Sequence, residues 1–317
     1  MKIELSAVVP VFNEGPEVAG FIQALAQSLS THCPSFEIVV IDDGSTDQCV
    51  EAILEVAQQA RVRVVRLSRN FGKESALSAG LQLARGDAAV LIDADFQHPP
   101  HVIGDFVRLW RDGAHMVIGV RSDRATDSLV RRLLSSAFYR LFNWLAHVRL
   151  EQGAGDFRLL DRRVIDAINA LPERRRFMKG LYSWVGFRTE RVSYTVEPRA
   201  FGNSKWSLGA LSRFAVHGLI SFSERPLSLL AYLGFAFAVP ALGYGAVILS
   251  EALFSGNPVP GWPTIVTAVM FFGGMNLVAL SLIGRYVGEL FLEVKGRPAF
   301  VVMSDQDFVP GHDPAAR

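Results

Sequence analysis

Short apolar runs closed by polar clusters recur through the first 120 residues, and stretches of helical periodicity separate them. Ser6–Phe12 is the first such run, stopped by Asn13-Glu14-Gly15-Pro16 and followed by a helical pattern to about Leu29. Glu37–Ile41 ends in Asp42-Asp43-Gly44-Ser45-Thr46-Asp47, and Val62–Leu67 ends in the polar loop Ser68–Lys73 before a helix over Glu74–Ala84. The run before Asp93 is the fourth and His115–Val120 the fifth. Valine- and isoleucine-rich runs of this length, bounded by Gly, Pro, Asn and Asp, predict strands. Their alternation with helices predicts an α/β fold with a mostly parallel, doubly wound sheet. Such sheets bind ligands outside the carboxyl ends of their strands, and Glu14, Asp43, Lys73, Asp95 and Arg121 all fall just past a strand end.

Beyond the fifth strand the pattern changes. Leu129–Leu145 has helical period, with Leu134, Phe138, Leu141, Phe142 and Leu145 on an apolar face beside Arg131, Arg132 and Arg140. A basic amphipathic helix of this kind suits a membrane surface, with packing on the domain's own core as the alternative. A second amphipathic pattern runs through Leu208, Leu211, Phe214, Leu219 and Phe222. Residues 227–250 and 263–284 then contain no charged side chain, and each run exceeds the roughly 20 residues that cross a bilayer as a helix. The connection over residues 255–262 lacks Lys and Arg, whereas Arg225 precedes the first run and Arg285, Lys295 and Arg297 follow the second. The positive-inside rule therefore predicts an inner-membrane protein with its large domain and both termini in the cytoplasm. The expected organisation is a catalytic domain over 1–206, an interface helix over 207–225, two membrane helices within 226–286 and a tail over 287–317.

Composition narrows the classes. A net charge of +1 across 317 residues argues against bulk electrostatic binding to nucleic acid. Cys33 and Cys49 have no metal-ligand or redox spacing. Met1–Leu5 leads straight into a strand pattern, so no signal peptide is expected.

The densest chemistry lies in Asp93-Ala94-Asp95-Phe96-Gln97-His98-Pro99-Pro100. Alternation in an extended chain would point both carboxylates the same way, and they would repel unless a cation sat between them. Oxygen ligands of this type suit Mg²⁺ or Mn²⁺ accompanied by phosphates; the alternative is a helix-capping Asp95 and a solvated Asp93. Neither a Gly-x-Gly-x-x-Gly turn nor a Gly-x-x-x-x-Gly-Lys-Ser/Thr loop is present, so phosphates would have to be held some other way. His98, ahead of two prolines, is read as structural.

Val9-Pro10-Val11-Phe12-Asn13-Glu14, Ile41–Asp47 and Asp93–Pro100 resemble the family 2 inverting glycosyltransferases of the GT-A fold. The downstream segments narrow the likeness to the polyprenyl-phosphate branch, which includes bactoprenol glucosyltransferases and dolichyl-phosphate mannose synthases. The resemblance implies that Pro10, Phe12, Glu14 and Asp43 contact the nucleoside, with Asp93 and Lys73 at the diphosphate and Asp95 and Gln97 as metal ligands. It further implies that Gly202-Asn203-Ser204-Lys205-Trp206 closes over the donor, with Lys205 and Trp206 in contact. Arg121, Arg132 and Ser136 would hold the lipid phosphate, although Arg131 and Ser135 share the same spacing. Asp156, in Gly153-Ala154-Gly155-Asp156-Phe157-Arg158-Leu159, would lie at the reaction centre, with a helix N-cap as its alternative.

The implied reaction is metal-dependent, inverting transfer of a hexose to undecaprenyl or another polyprenyl phosphate. Similarity over Phe177–Phe187 and at Lys205-Trp206 favours UDP-glucose, with GDP-mannose second. A non-catalytic nucleotide-binding membrane scaffold is a third reading, disfavoured by the joint presence of Asp93, Asp95, Gln97 and Asp156. Small residues such as Gly273-Gly274 suit helix association and hence a homo-oligomer.

Overall fold

Eight strands form one sheet in the computed structural model, which describes residues 2–57, 61–122, 140, 142–146, 148, 150, 154–196, 223, 225–255 and 261–308. The strands are β1 (Leu5–Val11), β2 (Phe36–Asp42), β3 (Val62–Leu67), β4 (Ala88–Leu91), β5 (Met116–Arg121), β6 (Ala154–Asp161), β7 (Thr189–Tyr194) and β8 (Val302–Asp307). Their order is β7-β5-β6-β4-β1-β2-β3-β8. β1 pairs in parallel with β2 and β4, as do β2 with β3 and β5 with β7, whereas β6 and β8 run antiparallel to their neighbours. The sheet is thus mixed but mostly parallel, as the strand–helix alternation predicts.

Helices cover both faces. On one side α1 (Val18–His32), α2 (Cys49–Ala57) and α4 (Ile103–Arg111) bury Phe21, Leu25, Ile53 and Phe106 against β1, β2 and β4. On the other, α3 (Lys73–Leu83), α5 (Arg162–Ala170) and α6 (Met178–Trp184) bury Leu77, Ile165 and Leu181. Central strands covered on both faces must be apolar at successive positions, which is why Ala7-Val8-Val9 and Ile38-Val39-Val40-Ile41 are wholly buried.

Two elements depart from the sequence reading. Residues 154–161, read as a glycine-led loop or a helix start, form β6 between β4 and β5. Phe157 and Leu159 turn to one face while Leu160 joins the other core, the period of two that makes a strand. Residues 302–307, within the stretch read as a tail, form β8 along β3. Arg63 on β3, nearly buried, makes a two-pronged ion pair to Asp305 at 2.6 and 2.8 Å.

Helices α7 (Arg225–Ser255) and α8 (Trp262–Lys295) have 31 and 34 residues, lengths of roughly 46 and 51 Å at ~1.5 Å per residue. Among the described residues no helix is long and apolar enough to cross a membrane. Residues 227–250 and 263–284, which make up most of both helices, carry no charged side chain. Leu233, Val239, Val269, Leu277, Val278 and Leu280 are all exposed. α8 runs on past Gly284 to Lys295 and ends at Gly296, whose φ of +68° allows a left-handed stop with its N–H on the Glu293 carbonyl. Its polar end is tied to the loop before α6. Arg175 Nη1 donates to Glu289 at 2.9 Å, and the backbone N–H groups of Arg174 and Arg175 donate to the Glu293 carboxylate at 3.2 and 3.3 Å. Near the start of α7, Tyr286 of α8 donates to the Ser223 carbonyl, and Ser223 donates to the Leu145 carbonyl.

Candidate active site

At the carboxyl edge of the parallel strands, the loops after β1 and β2 fasten each other. Asn13, with φ of +49°, accepts the Thr46 N–H at 2.8 Å, its own N–H donates to Ser45 Oγ, and Gly15 N–H donates to Asp47. Asp42 closes the turn by accepting the Ser45 N–H. Gly44 has φ of +75°, and a Cβ there would stand 2.6 Å from the Arg69 backbone, so only glycine lets this turn approach the loop after β3. Asp43, fully covered, spends both oxygens on that loop, accepting Phe71 N–H at 2.7 Å and Gly72 N–H at 2.8 Å. Burial pushes its carboxyl above the usual range, against the pull of those two N–H groups. Each oxygen keeps a further lone pair with which to meet a base N–H. Pro10, Phe12 and Glu14 stand beside it, half-buried at the end of β1.

The loop after β3 delivers Lys73 as the first residue of α3, and here the structure differs most from the expected arrangement. Lys73 Nζ lies 2.7 Å from Asp93 and 2.9 Å from Asp156. An ammonium thus lies beside Asp93 and bridges it to Asp156 on β6. Asp93 and Asp95 do not share one face of a strand: β4 ends at Leu91, and Asp95 lies in a turn where it accepts the Gln97 N–H at 3.1 Å. Phe96 adopts φ of +59°, a strained conformation for a bulky residue, and its ring meets Phe21 edge-on at 5.1 Å.

Electrostatics follow from this packing. Burial alone would lower Lys73, but the carboxylates of Asp156 and Asp93 outweigh it and hold the ammonium well above the ordinary lysine value. Burial would raise Asp93, yet Lys73 and then His98 hold it well below the carboxylate range. Asp156 is likewise pushed up by burial and pulled down further by Lys73 and Lys179, settling at about 2. One of its oxygens has no hydrogen-bond partner among the described residues, an open acceptor beside the ion cluster. Glu74, next to Lys73, is pushed up to about 7 by burial and by the Asp156 charge, while accepting the Met178 N–H at 2.7 Å.

Sequence reasoning missed several participants. His98 is buried with Nε2 3.7 Å from Asp93, and its Nδ1 is 2.7 Å from the Tyr194 hydroxyl. Tyr194 stands opposite Arg121 in the β5–β7 register, and burial raises its phenol against the pull of that guanidinium charge. Arg158 lies two residues along β6 from Asp156, donating to the Gly155 carbonyl at 2.6 Å and stacking 3.8 Å from the Tyr182 ring. The only available signal was the spacing of Gln97-His98 and of Asp156-Phe157-Arg158; Tyr194 carried none. Arg132, Ser136, Lys205 and Trp206 lie outside the described residues.

Among the described residues no group of three or more His, Cys, Asp or Glu side chains could hold a metal. Nucleotide-bound Mg²⁺ needs fewer, since one or two carboxylates suffice when substrate phosphates and water complete the shell. Asp95, in the turn past the end of β4, fits that donor set.

A model of glycosyl transferase family 2 matches residues 6–168. An uncharacterized glycosyltransferase of Synechocystis is 39% identical over 95% of both chains. The SfII prophage-derived bactoprenol glucosyl transferase of Shigella flexneri is 40% identical over 95% of this chain and 97% of that one. Among solved structures, glucosyl-3-phosphoglycerate synthase of Mycobacterium tuberculosis with Mn²⁺ and UDP-glucose is 21% identical, covering 69% of this chain and 77% of that one with a TM-score of 0.44. That likeness is too distant to carry substrate or metal across. The family match over half the sequence and the near-full-length identity to relatives agree with the site just described: the chain belongs to glycosyl transferase family 2 and is a glycosyltransferase similar to bactoprenol glucosyl transferases.

Proposed function

We propose that this protein transfers glucose from UDP-glucose to undecaprenyl or a related polyprenyl phosphate, with inversion, at the cytoplasmic face of the membrane. The observation that carries this reading is the Lys73 bridge between Asp93 and Asp156 at the carboxyl edge of the sheet. It sits on a chain that continues into two long helices with exposed apolar side chains. Similarity to bactoprenol glucosyl transferases along nearly the whole length supports the acceptor class.

In this mechanism an oxygen of the lipid phosphate forms a bond to the anomeric carbon while that carbon's bond to the β-phosphate oxygen breaks, releasing UDP. A phosphate monoester is largely dianionic at neutral pH, with a second pKa near ~6, so little proton removal is required. Lys73 is firmly charged and lies where a departing diphosphate gains charge. Asp156 keeps Lys73 aimed and offers its second oxygen to the acceptor side. The nucleoside would lie over Pro10, Phe12 and Glu14, against Asp43. A Mg²⁺ or Mn²⁺ ion held by Asp95 and Gln97 would neutralise charge on the diphosphate when bound. Arg121, with Arg132 and Ser136, would hold the lipid phosphate, and Lys205 and Trp206 would cover the donor. Helices α7 and α8 would cross the bilayer, with Trp144, whose carbonyl accepts from Arg225, exposed at the headgroup level.

The test is to incubate membranes carrying the protein with labelled UDP-glucose or GDP-mannose, undecaprenyl phosphate and Mg²⁺ or Mn²⁺. Label in the lipid extract from UDP-glucose alone is expected. Label from GDP-mannose alone would shift the donor, and no lipid label from either would overturn the reading.

A further inference from the structure

His98 and Tyr194 connect two halves of the site that the motifs treat separately. An ionised carboxylate has no proton to give, so the Asp93 charge beside His98 favours a ring proton on the nitrogen that faces it. The phenol proton of Tyr194 then points to His98 Nδ1, 2.7 Å away. An imidazole that accepts at Nδ1 carries its proton on Nε2, and Nε2 is the atom facing Asp93 at 3.7 Å. Asp93 in turn meets Lys73, and Lys73 meets Asp156. The ring cannot turn away, because it stacks on Phe157 at 5.0 Å and is 4% exposed.

We propose that His98 and Tyr194 are positioning residues, a chain of contacts from Tyr194 through His98 to Asp93 that fixes how Lys73 is shared between Asp93 and Asp156. This inference rests on the transfer reaction proposed above. With the Nε2–H in place, Asp93 is drawn from both sides and leaves Lys73 central. Without it, Lys73 is the remaining charged partner of Asp93, and the ammonium is pulled away from Asp156 and from a departing diphosphate. The residues proposed to meet the nucleoside, Pro10, Phe12, Glu14 and Asp43, are untouched.

The test compares Tyr194→Phe, His98→Asn and His98→Gln in the full-length protein in lipid nanodiscs. A glutamine amide N–H falls near the position of Nε2–H, whereas an asparagine mimics only the Nδ1 side. Tyr194→Phe and His98→Asn should lose ~10–100-fold in kcat, the range typical of supporting-shell changes. Their KM for UDP-glucose and melting temperature should match the wild type, and His98→Gln should recover most of the rate. Wild-type kcat in Tyr194→Phe and His98→Asn would overturn the proposal, as would losses in all three variants that simply follow the melting temperature. If the wild-type protein labels no lipid, the transfer reading fails, and ¹⁵N-histidine NMR judges the chain alone. Nε2–H on His98 in the wild type, lost or exchanging in Tyr194→Phe, supports it; Nδ1–H in the wild type overturns it.

Discussion

Lys73 carries the largest electrostatic burden of any single residue in the site. Taking an ammonium out of water is unfavourable, and the two carboxylates at 2.7 and 2.9 Å compensate it. Removing it strands two buried like charges, so Lys73→Gln should reduce transfer by ~100-fold or more and lower the melting temperature, read in a turnover assay and a thermal scan. The triad's pH window is wide. Asp93 and Asp156, depressed by Lys73, add stability above the ~3.9 of an unfolded aspartate and lose it as pH falls through their lowered values. Lys73, raised, adds stability below ~10.4 and loses it only in strong base.

Glu74 behaves in the opposite sense to those aspartates. Its carboxyl stands at about 7 when folded against ~4.3 unfolded, so its contribution is full below that lower value and gone once pH passes the upper one. The native state should therefore gain stability through this group on acidification from about pH 8 to 5, and Glu74→Gln should remove that portion of the slope. Melting temperatures across the range check it; identical slopes would refute the assignment. Asp93 and Asp156, which Lys73 joins, stood out in the sequence because local motifs hold them. His98 and Tyr194 did not, since their partnership spans 96 positions and exists only once β7 lies beside β5.

Elements were legible in proportion to how completely they are buried. β1, β2 and β4 announce themselves as unbroken apolar runs because helices cover both faces. β6 hides behind its leading glycines, and β8 is polar and mostly exposed, so pairing with β3 alone defines it. Asp305→Ala would leave the Arg63 guanidinium without its carboxylate partner, and should cost ~1–3 kcal/mol in urea unfolding. Junction residues also escape a local reading. The Arg175–Glu289 pair is partly exposed, so breaking it should matter little alone, below ~1 kcal/mol. Arg175→Glu should nonetheless increase protease cutting around residues 171–177, and adding Glu289→Arg should reverse it. Persistent sensitivity in the double variant would show that this contact does not hold the loop.

On the scale of the molecule, the uncharged runs at 227–250 and 263–284 and the basic residues flanking them predict a topology open to direct measurement. A periplasm-active phosphatase fused at Pro258 should be active and a fluorescent protein fused after Arg317 should fluoresce. The opposite pattern would invert the orientation, and release of the protein by alkaline carbonate would remove the membrane helices altogether.

The pairing of β8 with β3 also imposes an order on assembly. Synthesis makes residues 302–307 only after both long helices, so β3 keeps an open edge until the hairpin has emerged. Ser68, which opens the loop held by Asp43, is without the Val301 carbonyl until then. A chain that ended before residue 301 would thus carry an unfinished sheet margin and a loosened loop ahead of Lys73. Synthesis of the two long helices and completion of the sheet are in this way made successive steps of one folding event.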